Sequence, residues 1–178
     1  MKRLIATATV LLFAAFPALA GDGFAVGASA VDADMNVHSP DVAADGNTTG
    51  SRLFGRYQFT EHFGVEGGYA SFGRPDGNTL DSNLGVENSA TDLYATGTMP
   101  LTDKFRMFGK AGAMRWKTET EESETVEHSV ESTQLALGIG GEYEFTDRFV
   151  VRGEYVWTEG SSEVSGLRMM SLSGLIQF

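Results

Sequence analysis

From residue 24 onward, apolar residues recur at every second position. Phe63, Val65, Gly67 and Tyr69 share one parity, against Glu66, Gly68 and Ala70 on the other. Phe105, Met107, Gly109, Ala111 and Ala113 oppose Arg106, Phe108, Lys110 and Gly112, and Phe149, Val151, Gly153, Tyr155 and Trp157 oppose Val150, Arg152, Glu154 and Val156. The stretches ending at Phe59, Leu101 and Phe145 alternate in the same way. So do Phe24, Val26, Ala28 and Ala30 at one end of the chain, and Met170, Leu172, Gly174, Ile176 and Phe178 at the other. A period of two belongs to β-strands, whose successive side chains point to opposite faces. The pattern predicts eight strands of roughly ten residues, the length that crosses a bilayer when tilted.

Three short connections share one sequence. Phe59-Thr60-Glu61-His62-Phe63, Leu101-Thr102-Asp103-Lys104-Phe105 and Phe145-Thr146-Asp147-Arg148-Phe149 each read apolar, Thr, acid, base or His, Phe, at spacings of 42 and 44 residues. Thr and Asp side chains bond to nearby backbone and favour tight turns. The other connections are long, at about 31–50, 73–88, 118–131 and 159–167. Short turns alternating with long loops predict an antiparallel up-and-down order. Eight such strands can close and leave no edge unpaired in lipid.

Charge decides which face meets the lipid. The apolar parity of these stretches carries none, whereas the other holds Arg52, Arg56, Glu66, Asp92, Arg106, Lys110, Glu142, Glu144, Arg152 and Glu154, half of them basic and half acidic. A charge on a lipid face costs about 2–4 kcal/mol near the midplane. The charged parity must therefore face the lumen; a soluble barrel would turn its apolar parity inward. The expected fold is an all-β, eight-stranded antiparallel transmembrane up-and-down barrel. Arg52, Arg56, Glu66, Lys110, Glu142, Arg152 and Glu154 are expected to form a lumen ion network, since buried charges must pair. An eight-stranded barrel is just wide enough for its side chains to fill, so the lumen is expected to be plugged.

The first twenty residues differ from the rest. Lys2 and Arg3 precede an apolar run from Leu4 to Phe16, and Ala18-Leu19-Ala20 fits a cleavage site. This predicts a secretory signal peptide over 1–20 and a barrel domain over 21–178. Without Lys2 and Arg3, 24 acidic residues face 11 basic ones. So acidic a chain is not expected to bind nucleic acid, which needs a basic surface. There is no cysteine to mispair in an oxidising compartment. The carboxylates concentrate in the loops: Glu119, Glu121, Glu122, Glu124, Glu127 and Glu131 in the third, and Asp32, Asp34, Asp41 and Asp45 in the first. They offer either a plain solvated surface or a weak site for a cation or a basic partner. Their spacing does not match a calcium-binding helix-loop-helix.

Residues 140–155, Gly-Gly-Glu-Tyr-Glu-Phe-Thr-Asp-Arg-Phe-Val-Val-Arg-Gly-Glu-Tyr, resemble the sixth and seventh strands of OmpA-like barrels. Residues 105–113, with Lys110 before Ala111-Gly112, look like their fifth strand. The terminal Phe178 resembles the C-terminal signal read by the outer-membrane barrel-assembly machinery. The expected organisation is a barrel without the periplasmic peptidoglycan-binding domain, similar to OmpX, Ail and OmpW-like proteins. The resemblance implies a place in the bacterial outer membrane among its lipids and lipopolysaccharide. It also implies a role in envelope integrity or in contact with an extracellular ligand or host surface.

Two other classes compete with this reading: a small pore, and a lipid A-modifying enzyme. His38 with Asp81-Ser82 could meet at the outer rim, as in the palmitoyltransferase type, but the amphipathic N-terminal helix and proline-marked strands of that type are missing. His128-Ser129 is similar to the deacylase type, yet neighbours on a strand point to opposite faces. His62, the third histidine, sits in a short turn. No catalytic residue, cofactor or metal is expected; a serine nucleophile needs a base within hydrogen-bond reach, and there is neither a cysteine nor a paired histidine for zinc.

Overall fold

The computed structural model describes residues 23–39, 42–72, 85–121, 128–159 and 166–178, with side chains described outside 35–47, 85–87, 118–121 and 128–131. The expected signal peptide lies outside the described residues. Eight strands, β1 (Phe24–Ser39), β2 (Val42–Gln58), β3 (Phe63–Phe72), β4 (Gly85–Pro100), β5 (Phe105–Glu121), β6 (His128–Thr146), β7 (Phe149–Thr158) and β8 (Leu167–Gln177), form a closed antiparallel barrel in sequence order. β1 pairs with β8 to complete it, from Ala25↔Gln177 to Met35↔Leu167. At the end of the chain the Phe178 N–H donates to the Phe24 carbonyl at 2.9 Å.

The three repeated turns lie at this same end and use one device. The Thr60 hydroxyl accepts from the N–H groups of His62 and Phe63 at 3.2 and 2.9 Å. Thr102 accepts from Lys104 and Phe105 at 3.3 and 3.0 Å, and Thr146 from Arg148 and Phe149 at 3.4 and 3.0 Å. Each Thr thus satisfies backbone donors that the turn takes out of the ladder.

The outward parity is the apolar one. Leu53, Val65, Tyr69, Leu93, Leu135, Ile139, Leu172 and Ile176 are exposed around the barrel, with Tyr57, Phe59, Phe63, Leu101, Phe145 and Phe149 towards the turns. The band ends abruptly on the loop side, where the outward positions become Ser51, Ser71, Thr91, Arg115, Thr133, Arg168 and Asp32. This ring is where the hydrocarbon must stop.

The strands run further than expected. β1 and β2 stay paired from Val31↔Gly50 to Ser39↔Val42, across the stretch read as a loop. β5 and β6 stay paired up to Thr120↔His128, and β4 with β5 up to Gly85↔Glu121. Five strands therefore have 16 to 19 residues instead of about ten. The physical reason is that alternation of apolar residues marks only the part of a strand immersed in lipid. Above it, a ladder needs backbone pairing alone, and both faces can be polar.

Candidate functional site: the barrel lumen

Every charged residue assigned to the lumen faces it, and most are deeply buried. Arg152 on β7, at 1% exposure, is the centre. Its Nε and Nη2 donate to Glu142 Oε1 at 2.8 and 2.6 Å, and its Nη1 donates to Glu66 Oε2 across the lumen. Glu142 also accepts from Arg56 Nη1. Lys110 Nζ donates to Glu154 at 3.0 Å and to Glu66 at 3.4 Å. Arg52 Nη2 reaches Glu66 at 3.0 Å. The seven predicted residues are thus joined through shared partners.

Three features were not foreseen. Asp92 takes a bidentate pair from Arg52, at 2.7 and 2.6 Å, the geometry that makes Arg–carboxylate pairs strong. Aromatic rings are interleaved with the cations: Arg152 lies 4.4 Å from the Phe108 centroid and 5.1 Å from that of Phe54, Arg52 4.6 Å from Phe54, and Lys110 Nζ 4.2 Å from Tyr94. Such contacts return part of the hydration the cations lose. Their parity in the sequence was the available signal. Glycine provides the room: a Cβ on Gly27 would come within 2.3 Å of the Phe54 ring, and one on Gly140 within 2.6 Å of the Phe108 ring.

The third feature is how the fillings are divided along the barrel. Towards the loops it is apolar. Val31, Ala33, Ala70, Phe72, Ala90, Met114, Ala136, Val156, Leu167 and Met169 pack into one cluster above the ions, and Phe72 stacks on Trp116 at 4.9 Å. At the opposite end Arg106, half-buried, sits 3.5 Å from Glu142 and 3.6 Å from Glu144, and donates to Gln177 at 3.3 Å. It borders an open vestibule of about 750 Å³ between the turns.

The remaining candidate residues do not assemble. His62 is exposed at the turn end. The backbones of His38 and His128 lie opposite Ala43 and Thr120, beyond the polar ring, and Asp81 and Ser82 lie outside the described residues. Glu119 and Glu121, expected in a loop, have their backbones on β5; Glu122, Glu124 and Glu127 lie outside the described residues. Among the described residues no group of three or more His, Asp or Glu is placed to hold a metal ion.

A closed barrel with a lipid-facing apolar band and its charges turned inward is an integral membrane barrel. The model of the OmpA-like transmembrane domain matches residues 21–166, and the chain belongs to that family. Its place is the bacterial outer membrane. Outer membrane protein A of Salmonella typhi is 27% identical over 135 residues, covering 73% of this chain and 38% of the relative. That of Escherichia coli O157:H7 is 28% identical over 138 residues, covering 74% and 40%. The chain thus matches about two fifths of the length of these relatives. Among solved structures, Ail of Yersinia pestis in complex with the heparin analogue sucrose octasulfate aligns with a TM-score of 0.66 at 19% identity, covering 89% of this chain and all of Ail. Neisserial surface protein A aligns with a TM-score of 0.67 at 15% identity, covering 88% and 98%. These two likenesses are of fold.

Proposed function

We propose that the chain is a non-catalytic structural barrel of the outer membrane, with a plugged lumen and an acidic outer surface. The observation that carries the closed lumen is the bridging of Arg152 to both Glu66 and Glu142, walled by Phe54 and Phe108 and covered by the apolar cluster. An ion crossing this layer would have to break these charge-assisted bonds. Reconstitution in planar bilayers should give no steady conductance. A conductance with the frequency and lifetime of an open porin would instead establish the pore.

In this proposal the short turns, the start of β1 and the end of β8 face the periplasm and the long hairpins face outward, the usual arrangement of such barrels. The apolar band contacts the lipids, and lipopolysaccharide surrounds the outer rim. Phe178, half-exposed and tied to Phe24 through its backbone, serves as the assembly signal. Removing it should slow insertion by the assembly machinery while leaving refolding in detergent intact.

Surface recognition is the second reading, favoured by the density of carboxylates in and beside the third loop. Ail was solved with a polyanion. This chain carries a formal net charge of −11, so its own partner would be a cation or a basic surface. Glu122, Glu124 and Glu127 with Glu119 and Glu121 are the candidates. Since β5 and β6 hold 118–121 and 128–131, deletion of 122–127 is the clean test. Binding through these groups should weaken steeply with salt, because exposed charges are screened over about 8 Å at physiological ionic strength. If the shortened protein retains every adhesion or resistance phenotype that the full deletion loses, the loop does not bind.

A further inference from the structure

We infer that this barrel associates with further copies of itself in the membrane, the β1 face of one against the β5 face of the next. The two strands stand on opposite sides of the closed barrel, with three strands between them either way around. They share one pattern with opposite charge. It is Ala28-Ser29-Ala30-Val31-Asp32 on β1 and Ala111-Gly112-Ala113-Met114-Arg115 on β5, with the alanines and the final charge outward and exposed. Among the described residues, the outward position just inside the polar ring is alanine on these two strands alone. On the other six it is Leu53, Tyr69, Leu93, Leu135, Trp157 or Met170, all large and exposed. Each alanine pair therefore lies in a trough. Ala113 stands between Leu93 and Leu135, and on β1 Ala28 pairs with Leu53 and Ala30 with Leu172.

The two charges sit at one level. Ladder rungs run obliquely around a barrel of tilted strands. One way around, Arg115 connects through Thr91, Tyr69 and Leu53 to Ala28. The other way, Gly109, lower on β5, already connects through Ile139, Tyr155 and Met170 to Asp32. Followed that way, the rung of Arg115 passes as far beyond Asp32 as Arg115 lies above Gly109. Midway between that point and Ala28 lie Asp32 and Asp34. Arg168 stands opposite Asp34, but Asp32 lies between Thr49 and Met170, and Arg115 between Thr91 and Thr133. Lipid gives apolar faces no hydrophobic reason to associate; close approach over small residues and a polar pair supply one. Opposite charges attract more strongly where hydrocarbon begins than in water. An acidic face and a basic face on opposite sides fit a second copy of this chain, whereas a lipid phosphate would suit Arg115 and leave Asp32 without a partner. Two copies upright in one membrane bring Asp32 to Arg115 of the partner subunit, whichever rim faces outward. Because the faces are diametrically opposed, the contact does not close, and copies add in rows.

The chain has no cysteine, so introduced thiols report the contact in phosphatidylcholine vesicles that hold this protein alone. Ala30→Cys mixed with Ala113→Cys should give disulfide-linked dimers, and neither variant should do so by itself. Both changes in one chain should give a ladder of trimers and higher species. No linking in the mixture overturns the inference. Equal linking in either single variant overturns it too, since like faces or random collisions would then explain the dimer. Charge gives an independent reading. Adding Arg115→Asp to both cysteine variants should abolish the dimer, and adding Asp32→Arg as well should restore it by exchanging the signs. A dimer indifferent to Arg115→Asp overturns the inference. If the cysteine variants do not insert, single-spot photobleaching of N-terminally labelled wild type and Arg115→Asp decides. The wild type should bleach in more steps, and equal step counts overturn the inference.

Discussion

The turn-side half of the lumen holds the paired charges, with Ala25, Phe54, Val150 and Leu175 beside them, and the loop-side half is filled by Met, Phe, Val and Ala, although the same eight strands line both. The two fillings respond differently to damage. An apolar layer tolerates shape changes at the cost of cavities, and a lost methylene has no partner left to strand. An ionic layer is indifferent to wholesale replacement but intolerant of losing one member, because each survivor is left charged and unpaired. One barrel thus contains a layer that seals and a layer that enforces a particular set of cross-lumen pairings. We take that division to be the reason the ions are retained despite their desolvation cost.

The largest effect should come from Arg152→Met, which leaves Glu66 and Glu142 without their shared cation. Loss of about 3–5 kcal/mol is expected by urea unfolding in detergent, from the cost of breaking a buried pair. A shift below about 1 kcal/mol would mean the carboxylates are hydrated, and the two halves would then differ as wet and dry. Next, Lys110→Ala should cost about 3 kcal/mol, and adding Glu154→Gln should recover part of it, since the cycle couples groups in contact. Absence of coupling would place Lys110 outside the network. In the apolar half, Met169→Ala should cost about 2 kcal/mol or somewhat more as a cavity, and no polar second substitution should rescue it. The smallest effect is at the turns: Thr102→Ala should cost about 0.5–1.5 kcal/mol, one net hydrogen bond, with the lumen unaltered.

The number of strands, their order and the inward-facing charges were legible in the sequence because each follows from a local rule. Alternation reports the pleat, the Thr turns repeat, and lipid excludes charge from Val65 or Leu93. The partners within the lumen were less legible. Arg152 meets Glu66, and Arg56 meets Glu142, 86 positions apart in each case, through barrel closure. Asp92 finds Arg52 across the intervening β3. The apolar layer was hidden for another reason. Inward-facing Val31, Phe72, Met114 and Met169 carry no charge to mark them as lumen, and Val31 opens a stretch whose composition reads as a loop. Strand ends escaped as well, since nothing like lipid exclusion acts on β1 after Asp32.

The long ladders also set a reach. β1 remains paired with β2 for seven positions past Asp32, up to Ser39↔Val42. At roughly 3.3 Å per residue that is about 23 Å of paired strand, or about 16 Å of height at a 45° tilt. A headgroup layer is only about 5–8 Å deep on each side. The last paired rung therefore stands clear of the lipid surface. If the long hairpins face outward, as proposed, whatever approaches the cell meets this hairpin before it meets the membrane, and steric access to the bilayer around the protein is governed by a post rather than by a flush rim.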